Sequence, residues 1–157
     1  MLMRFRPATQ NDLPVVISWI PDAVACKRWA GPAVSFPLTP SSLAKEIEFS
    51  PDNSYCLEEK GNLVGFGQLL PKSENRLHAA RIIVAPHQRG RGFGRKLGQA
   101  LINRAIALKY PRVSLNVYKD NPTAINLYQS LGFHEIDKSK EKSLAKDIRY
   151  MELKRFG

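Results

Sequence analysis

Apolar positions along this chain recur with two periods, and the changes of period mark its elements. Leu13, Val16, Ile17 and Ile20 fall three and four residues apart. They follow Thr9-Gln10-Asn11-Asp12, a hydroxyl with an acid three positions later, as in a capping box, and Pro14 suits a first turn. Thr39-Pro40-Ser41-Ser42 restarts a helix, with Thr39 as cap and Pro40 at its first position, ahead of Leu43, Ile47 and Phe49. Leu97, Leu101, Ala105 and Leu108 share one face of a helix expected over residues 93–110. Asn121-Pro122 opens another helix, which ends at Gly132 with Phe133 as the apolar contact beyond the cap. Alternating or β-branched runs at 4–7, 54–59, 63–70, 77–84, 113–118, 133–137 and 148–153 predict strands, and Lys60-Gly61-Asn62 signals a hairpin. Residues 22–38, with Trp29, Gly31-Pro32, Phe36 and Pro37, read as an irregular connection, either functional or a lid over core. Residues 138–146 are charged and read as a mobile loop. The order is β-α-α-β-β-β-α-β-α-β-β. That is a mixed α/β (α+β) fold on an open central sheet, one domain over residues 1–157. A strand, a helix and a strand in succession from residue 77 to 118 imply a parallel pair with a crossover helix.

The stretch Val84-Ala-Pro-His-Gln-Arg-Gly-Arg-Gly-Phe-Gly-Arg-Lys96 lies where that strand meets that helix. Gly90, Gly92 and Gly94 alternate with Arg89, Arg91, Phe93 and Arg95. A glycine turn before a helix brings backbone N–H groups close to an anion and adds the positive end of the helix dipole, so a phosphorylated ligand is expected there. Charge sharpens the picture. The net charge is +10, and residues 75–119 hold ten Lys and Arg with no Asp or Glu, so the remaining fourteen of each sign cancel. The whole excess surrounds the turn and concentrates anions near it. A merely solvated basic face and a nucleic-acid or ribosome contact produce the same count.

Rival glycine motifs fail on spacing. A dinucleotide fingerprint needs G-x-G-x-x-G and an acid about twenty residues on. Here position 95 is Arg and no acid precedes Asp120. The phosphate loop G-x-x-x-x-G-K-[ST] does not occur. Cys26 and Cys56 do not make a disulfide framework and read as buried small hydrophobes in a reducing compartment. No secretory signal or membrane-length apolar run is evident, and no His/Cys/Asp spacing suggests a metal site, so a soluble cytoplasmic protein without a metal is expected.

Two motifs in order resemble a known family. Arg89-Gly90-Arg91-Gly92-Phe93-Gly94 is similar to the [RQ]-x-x-G-x-[GA] signature of the GCN5-related N-acetyltransferase (GNAT) superfamily. Asn121-Pro-Thr-Ala124-Ile-Asn-Leu127-Tyr128-Gln-Ser-Leu-Gly132-Phe133 is similar to its N-x-x-A-x-x-L-Y-x-x-x-G-F pattern. The close resemblance covers residues 77–133, while the N-terminal third matches only in its order of elements. The resemblance implies acetyl-CoA as cosubstrate, with pyrophosphate on the amides of Arg89, Gly90, Arg91, Gly92, Phe93, Gly94 and Arg95. It also implies that the strands at 82–84 and 113–118 splay, that pantetheine pairs with backbone of Ile82, Ile83 and Val84, and that one N–H there polarises the thioester carbonyl. Asn121, Ala124 and Tyr128 fall on one helical face. Asn121 reads as a cap in its own right and by resemblance also contacts the cosubstrate. Tyr128 reads as a core aromatic, and by resemblance as the general acid that protonates the departing thiolate.

The acceptor half of the chemistry is less marked. An attacking Lys-type amine, with a pKa of ~10.4, must lose a proton at a cost of about 4–5 kcal/mol at pH 7. Many relatives collect it on a Glu of a splayed strand, but Leu77-His-Ala-Ala-Arg81 and Ser114-Leu-Asn116-Val-Tyr118 hold no acid. Ribosomal-protein N-terminal acetyltransferases show Leu-Glu-Val-Arg where this chain has Leu115-Asn116-Val117-Tyr118. His78, Glu74 or a water chain are the alternatives. Trp29 and Phe36 are expected to wall the acceptor pocket, and Glu46 and Glu48 either favour a cationic amine or are ordinary exposed helix charges. The leading expectation is an acetyl-CoA-dependent N-acetyltransferase acting directly on a primary amine of a small molecule or protein. The alternative is a non-catalytic acyl-CoA-binding module, or one that associates with ribosome or nucleic acid. Pairing of two copies through the last strands is compatible with the pattern.

Overall fold

The computed structural model describes residues 2–138 and 145–154. Its strands are β1 (Met3–Pro7), β2 (Ser54–Glu59), β3 (Asn62–Ser73), β4 (Arg76–Val84), β5 (Arg112–Tyr118), β6 (His134–Ile136) and β7 (Ile148–Lys154). Its α-helices are α1 (Leu13–Ile17), α2 (Ala23–Ala30), α3 (Pro40–Glu46), α4 (Phe93–Ala107) and α5 (Pro122–Ser130). The seven strands form one sheet of order β1-β2-β3-β4-β5-β7-β6. This is the expected mixed α/β fold on a central sheet. By contacts the chain groups into two compact units, Met1–Gln68 with Arg81–Leu97, and Leu69–Ala80 with Gly98–Gly157.

In the first unit, β1 pairs antiparallel with β2 from Met3↔Glu59 to Pro7↔Tyr55, and β2 with β3 from Ser54↔Gln68 to Glu59↔Asn62. Lys60 (φ 51°) and Gly61 (φ 81°) are both left-handed, which makes the two-residue turn whose twist suits a hairpin. The core gathers Leu13, Val16, Leu43, Ile47, Cys56 and Phe66, all shut off from solvent. Each of the aliphatic and aromatic side chains among them contributes roughly 1.5–3 kcal/mol by leaving water. Asp12 organises the entry to α1. Its carboxylate accepts the Thr9 N–H at 2.8 Å and two bonds from the Arg6 guanidinium, both at 2.8 Å, while Arg6 Nε reaches Glu58 at 2.8 Å. The Arg6 hydrogen bonds hold the Asp12 carboxyl below its usual range. The adjacent Cys56 thiol is pushed up to about 12 by burial.

The 22–38 segment corrects the sequence reading. It is not irregular throughout, because Ala23–Ala30 is helical. Asp22 caps it, accepting the Ala25 N–H at 2.8 Å, and Gly31 at φ 84° ends it. Pro21 does not merely close α1; it stands just before the cap of the next helix. The Thr39 cap holds as expected, its hydroxyl accepting from Ser42 N at 3.1 Å.

In the second unit, β5 pairs antiparallel with β7 over all seven residues, and β7 with β6 over three. The expected parallel pair is present and short: Arg76, Leu77 and His78 of β4 meet Arg112, Val113 and Ser114 of β5. Helix α4 stops at Ala107 rather than Tyr110, because Lys109 turns left-handed at φ 66°. Strand β3 runs three residues past the expected Leu70. The backbone of Gly98 packs so close to Leu131 that an added Cβ would lie 2.8 Å from its Cδ1. Glu152, nearly buried, takes two bonds from Arg112 (2.9 and 2.8 Å) and one from the Tyr150 hydroxyl (2.6 Å). Most of the charged stretch at 138–146 lies outside the described residues.

Candidate active site

The glycine turn belongs to the first unit. After β4, a short 3-10 turn at Pro86–Gln88 leads into Gly90 and Gly92, each at φ 82°, and then into α4. Only these two of the three alternating glycines need the left-handed region, Gly94 being already helical. Nothing lies within 4 Å of where a Cβ would stand at either position, so the turn's surface is open. Phe93 is buried at the start of the helix. Arg91 is exposed but engaged: it bonds Gln88, approaches Glu59 at 3.2 Å and lies 4.8 Å from the Phe93 ring centroid. Its side chain is therefore partly answered within the fold, while Arg89 is exposed beside it.

Ile82, Ile83 and Val84 end β4, with Ile83 in the core and its neighbours half-buried. Just before them Arg81 adopts φ 52° inside the strand, a kink the apolar pattern did not foretell. Its carbonyl accepts the Trp29 indole N–H at 2.9 Å, and its guanidinium donates to Gln68 Oε1 at 2.8 Å. Trp29, expected as an exposed-looking pocket wall, is packed against the core and edge-on to Phe66 at 6.3 Å. Phe36 is 41% exposed, and Glu46 tethers its loop by accepting the Ser35 N–H at 2.8 Å. Sequence reasoning missed Arg81 and Gln68. The signal available was a charged residue inside the run Leu77 to Val84 and an amide inside the apolar run of β3.

Tyr128, in the second unit, lies on α5. Asn121 caps that helix, its side-chain oxygen accepting the Ala124 N–H at 3.2 Å, with Pro122 at the first position. At the other end Phe133 N–H donates to the Tyr128 carbonyl at 3.0 Å, and the two rings meet edge to face at 5.8 Å. Gly132, at φ 106°, makes that return possible. The residue is half-buried by surface, yet protein surrounds the phenol closely enough that burial pushes it up to about 12. In the same unit, His78 Nδ1 is 2.8 Å from the hydroxyl of buried Ser114, which also accepts from Arg76 at 2.6 Å. Of the two acid–base candidates, His78 is held by the fold, whereas Glu74 is exposed in the β3–β4 turn.

A match to the Acetyltransferase (GNAT) family extends over residues 23–133. A peptidyl-lysine N-acetyltransferase, YiaC, of Escherichia coli (strain K12) is 30% identical over 135 residues, covering 84% of each chain. A probable spermine N(1)-acetyltransferase of Bacillus subtilis subsp. natto (strain BEST195) is 34% identical over 57% of this chain and 66% of its own. Among solved structures, the PaiA N-acetyltransferase of Thermoplasma acidophilum, in complex with coenzyme A, superposes with a TM-score of 0.73. It is 18% identical and covers 98% of this chain and 99% of its own, a likeness of fold. This chain belongs to the GNAT family and is an N-acetyltransferase. The non-catalytic reading gives way accordingly. Among the described residues no helix is long and apolar enough to cross a membrane.

Proposed function

We propose that this N-acetyltransferase takes acetyl-CoA as donor and passes the acetyl group directly to a primary amine of a small molecule or protein. The open turn carries the reading. Gly90 and Gly92 at φ 82°, with clear space above them and a helix starting at Phe93, suit a pyrophosphate held by the backbone of Arg89 to Arg95. The side chains of Arg89 and Arg95 add positive field, and Asn121 supplies a further polar contact at the head of α5. Ile82, Ile83 and Val84 offer backbone groups to pantetheine, one N–H polarising the thioester carbonyl. On transfer, the amine nitrogen forms the C–N bond as the C–S bond breaks, and Tyr128 directs its O–H at the departing sulfur.

The buried phenol gives that role a definite form. At about 12, Tyr128 stays protonated throughout the working range of the enzyme. A thiol in the range ~8.5 is the stronger acid, so full transfer to an isolated thiolate is uphill by roughly 5 kcal/mol. Tyr128 therefore acts by donating a hydrogen bond as charge develops on sulfur, and the proton is completed from the amine, which must lose one. Trp29 and Phe36 border the acceptor side.

We read residues 1–157 as one N-acetyltransferase domain, since β3, β4 and α4 each supply residues to both compact units. A cytoplasmic setting agrees with two free, buried cysteines. The deciding experiment follows release of free CoA from acetyl-CoA across lysine peptides, polyamines, amino acids and protein N-termini. Turnover with a defined amine and saturation in acetyl-CoA support the reading. Absence of acetyl-CoA binding overturns it.

A further inference from the structure

Arg81 is fixed from three directions within the first unit. Its backbone is left-handed at φ 52°, a conformation L side chains rarely adopt, and Trp29 holds its carbonyl at 2.9 Å. Its guanidinium meets Gln68 Oε1 at 2.8 Å. Gln68 is wholly buried, and its amide nitrogen donates to the Ile47 carbonyl at 3.1 Å and the Ser54 hydroxyl at 3.0 Å. With the nitrogen so committed, the Gln68 oxygen must face Arg81. The guanidinium is thus aimed by a fully satisfied buried amide.

No carboxylate among the described residues forms an ion pair with it. Arg6, Arg91, Arg112 and Arg149 each meet a carboxylate between 2.8 and 3.6 Å. Arg81 has no such ion pair among the described residues. Its Nε is shut off from solvent with no hydrogen-bond partner. The Glu48 charge acts on it only from beyond pairing distance, and burial lowers the Arg81 pKa. A partly buried cation without a carboxylate partner gains from an anion at its terminal nitrogens, and a planar carboxylate matches the guanidinium fork.

We propose that Arg81 recognises the acceptor: the amine substrate carries a free carboxylate, which docks on this guanidinium. The inference rests on the reading that places the thioester along Ile82–Val84, the residues immediately after Arg81. An amino acid carries both the amine and the carboxylate on one small frame. A polyamine, wholly cationic, is repelled by the guanidinium.

The test compares amines on the intact enzyme with saturating acetyl-CoA, reading kcat and KM from CoA release. The panel pairs each of the common amino acids with its carboxamide and adds spermidine and a lysine peptide blocked at both ends. At least one amino acid is expected to exceed its carboxamide in kcat/KM by roughly 10- to 100-fold, the loss typical of removing a charged hydrogen-bond partner. Arg81→Gln should erase that preference by raising KM for the carboxylate form, and Arg81→Lys should retain part of it. Acetyl-CoA affinity by calorimetry should be unchanged in both. If Arg81→Gln does not fold, the carboxylate-to-carboxamide ratio of the unaltered enzyme still decides. The inference is overturned if no carboxylate-bearing amine is acetylated, if carboxamides match their acids, or if Arg81→Gln keeps the preference. Turnover of spermidine or the blocked peptide alone sinks this inference while leaving the acetyltransferase reading intact. Failure to bind acetyl-CoA sinks that reading instead.

Discussion

The indole N–H of Trp29 donates to the carbonyl of Arg81 at 2.9 Å, tying α2 to the kink in β4. Replacing Trp29 with Phe keeps the ring against Phe66 but removes the donor. Leaving that carbonyl unpaired should cost about 1–3 kcal/mol, seen as a lower denaturation midpoint at unchanged m-value. If the kink also shapes the acceptor side, KM for the amine rises while acetyl-CoA affinity holds. An unchanged KM in a destabilised Trp29→Phe protein would confine Trp29 to structure.

Tyr128→Phe removes the hydroxyl and retains the ring's edge-to-face contact with Phe133. The expected result is a loss of roughly 10²–10⁴ in kcat, the usual worth of a positioned acid, with acetyl-CoA affinity little changed. Full activity under chemistry-limited conditions would exclude a role for the Tyr128 hydroxyl at the departing sulfur.

The pH profile follows from the same residue. Its folded pKa is raised to about 12, so the phenol is protonated below that value and ionises only above it. Activity should climb with pH as the acceptor amine deprotonates and show no falling limb from Tyr128 up to about pH 11. A descending limb near pH 9–10 that disappears in Tyr128→Phe would contradict the burial of this phenol.

His78 and Glu74 separate cleanly by substitution. His78→Gln disturbs a ring 2.8 Å from the buried Ser114 hydroxyl, whereas Glu74→Gln alters an exposed turn. If His78 collects the amine's proton, His78→Gln should lower kcat by tenfold or more, using an order of magnitude typical of general bases. Glu74→Gln should match the unaltered enzyme. Equal activity in both variants would leave proton removal to solvent.

Acid should unfold the protein partly through Asp12. Its folded pKa lies below the unfolded value because Arg6 and the Thr9 N–H bind the carboxylate. Its stabilisation is therefore complete above the ordinary carboxylate range of ~3.9 and is lost as pH falls through the depressed folded value. Asp12→Asn should lower stability at pH 7 and flatten its fall below about pH 4, measured by urea midpoints across pH.

How much of this was legible in the sequence depended on whether local chemistry decided the outcome. The Thr39 and Asn121 caps, the Lys60-Gly61 hairpin and the glycine turn were readable because each answers to two or three adjacent residues. Helix α2 is hard to read locally because it is only eight residues long and lies between Pro21 and Gly31-Pro32, which signal breaks on both sides. The backbone kink at Arg81 is hidden for another reason. Its left-handed backbone is imposed by Trp29 and Gln68, which lie 52 and 13 residues away in sequence. No local window contains that cause. His78 was legible as a candidate, but its Ser114 partner needed the parallel pairing of β4 and β5.

Gly132 and Phe133 follow the end of α5, the glycine's turn allowing Phe133 to reach back to the Tyr128 carbonyl and ring. The tyrosine thus carries its own mounting, spelled out five residues downstream. Grafting Tyr128 alone onto a related scaffold should transfer a phenol without its aim. Moving Asn121 through Phe133 as one cassette should transfer both, and Phe133→Leu should loosen the acid without touching any group that meets a ligand.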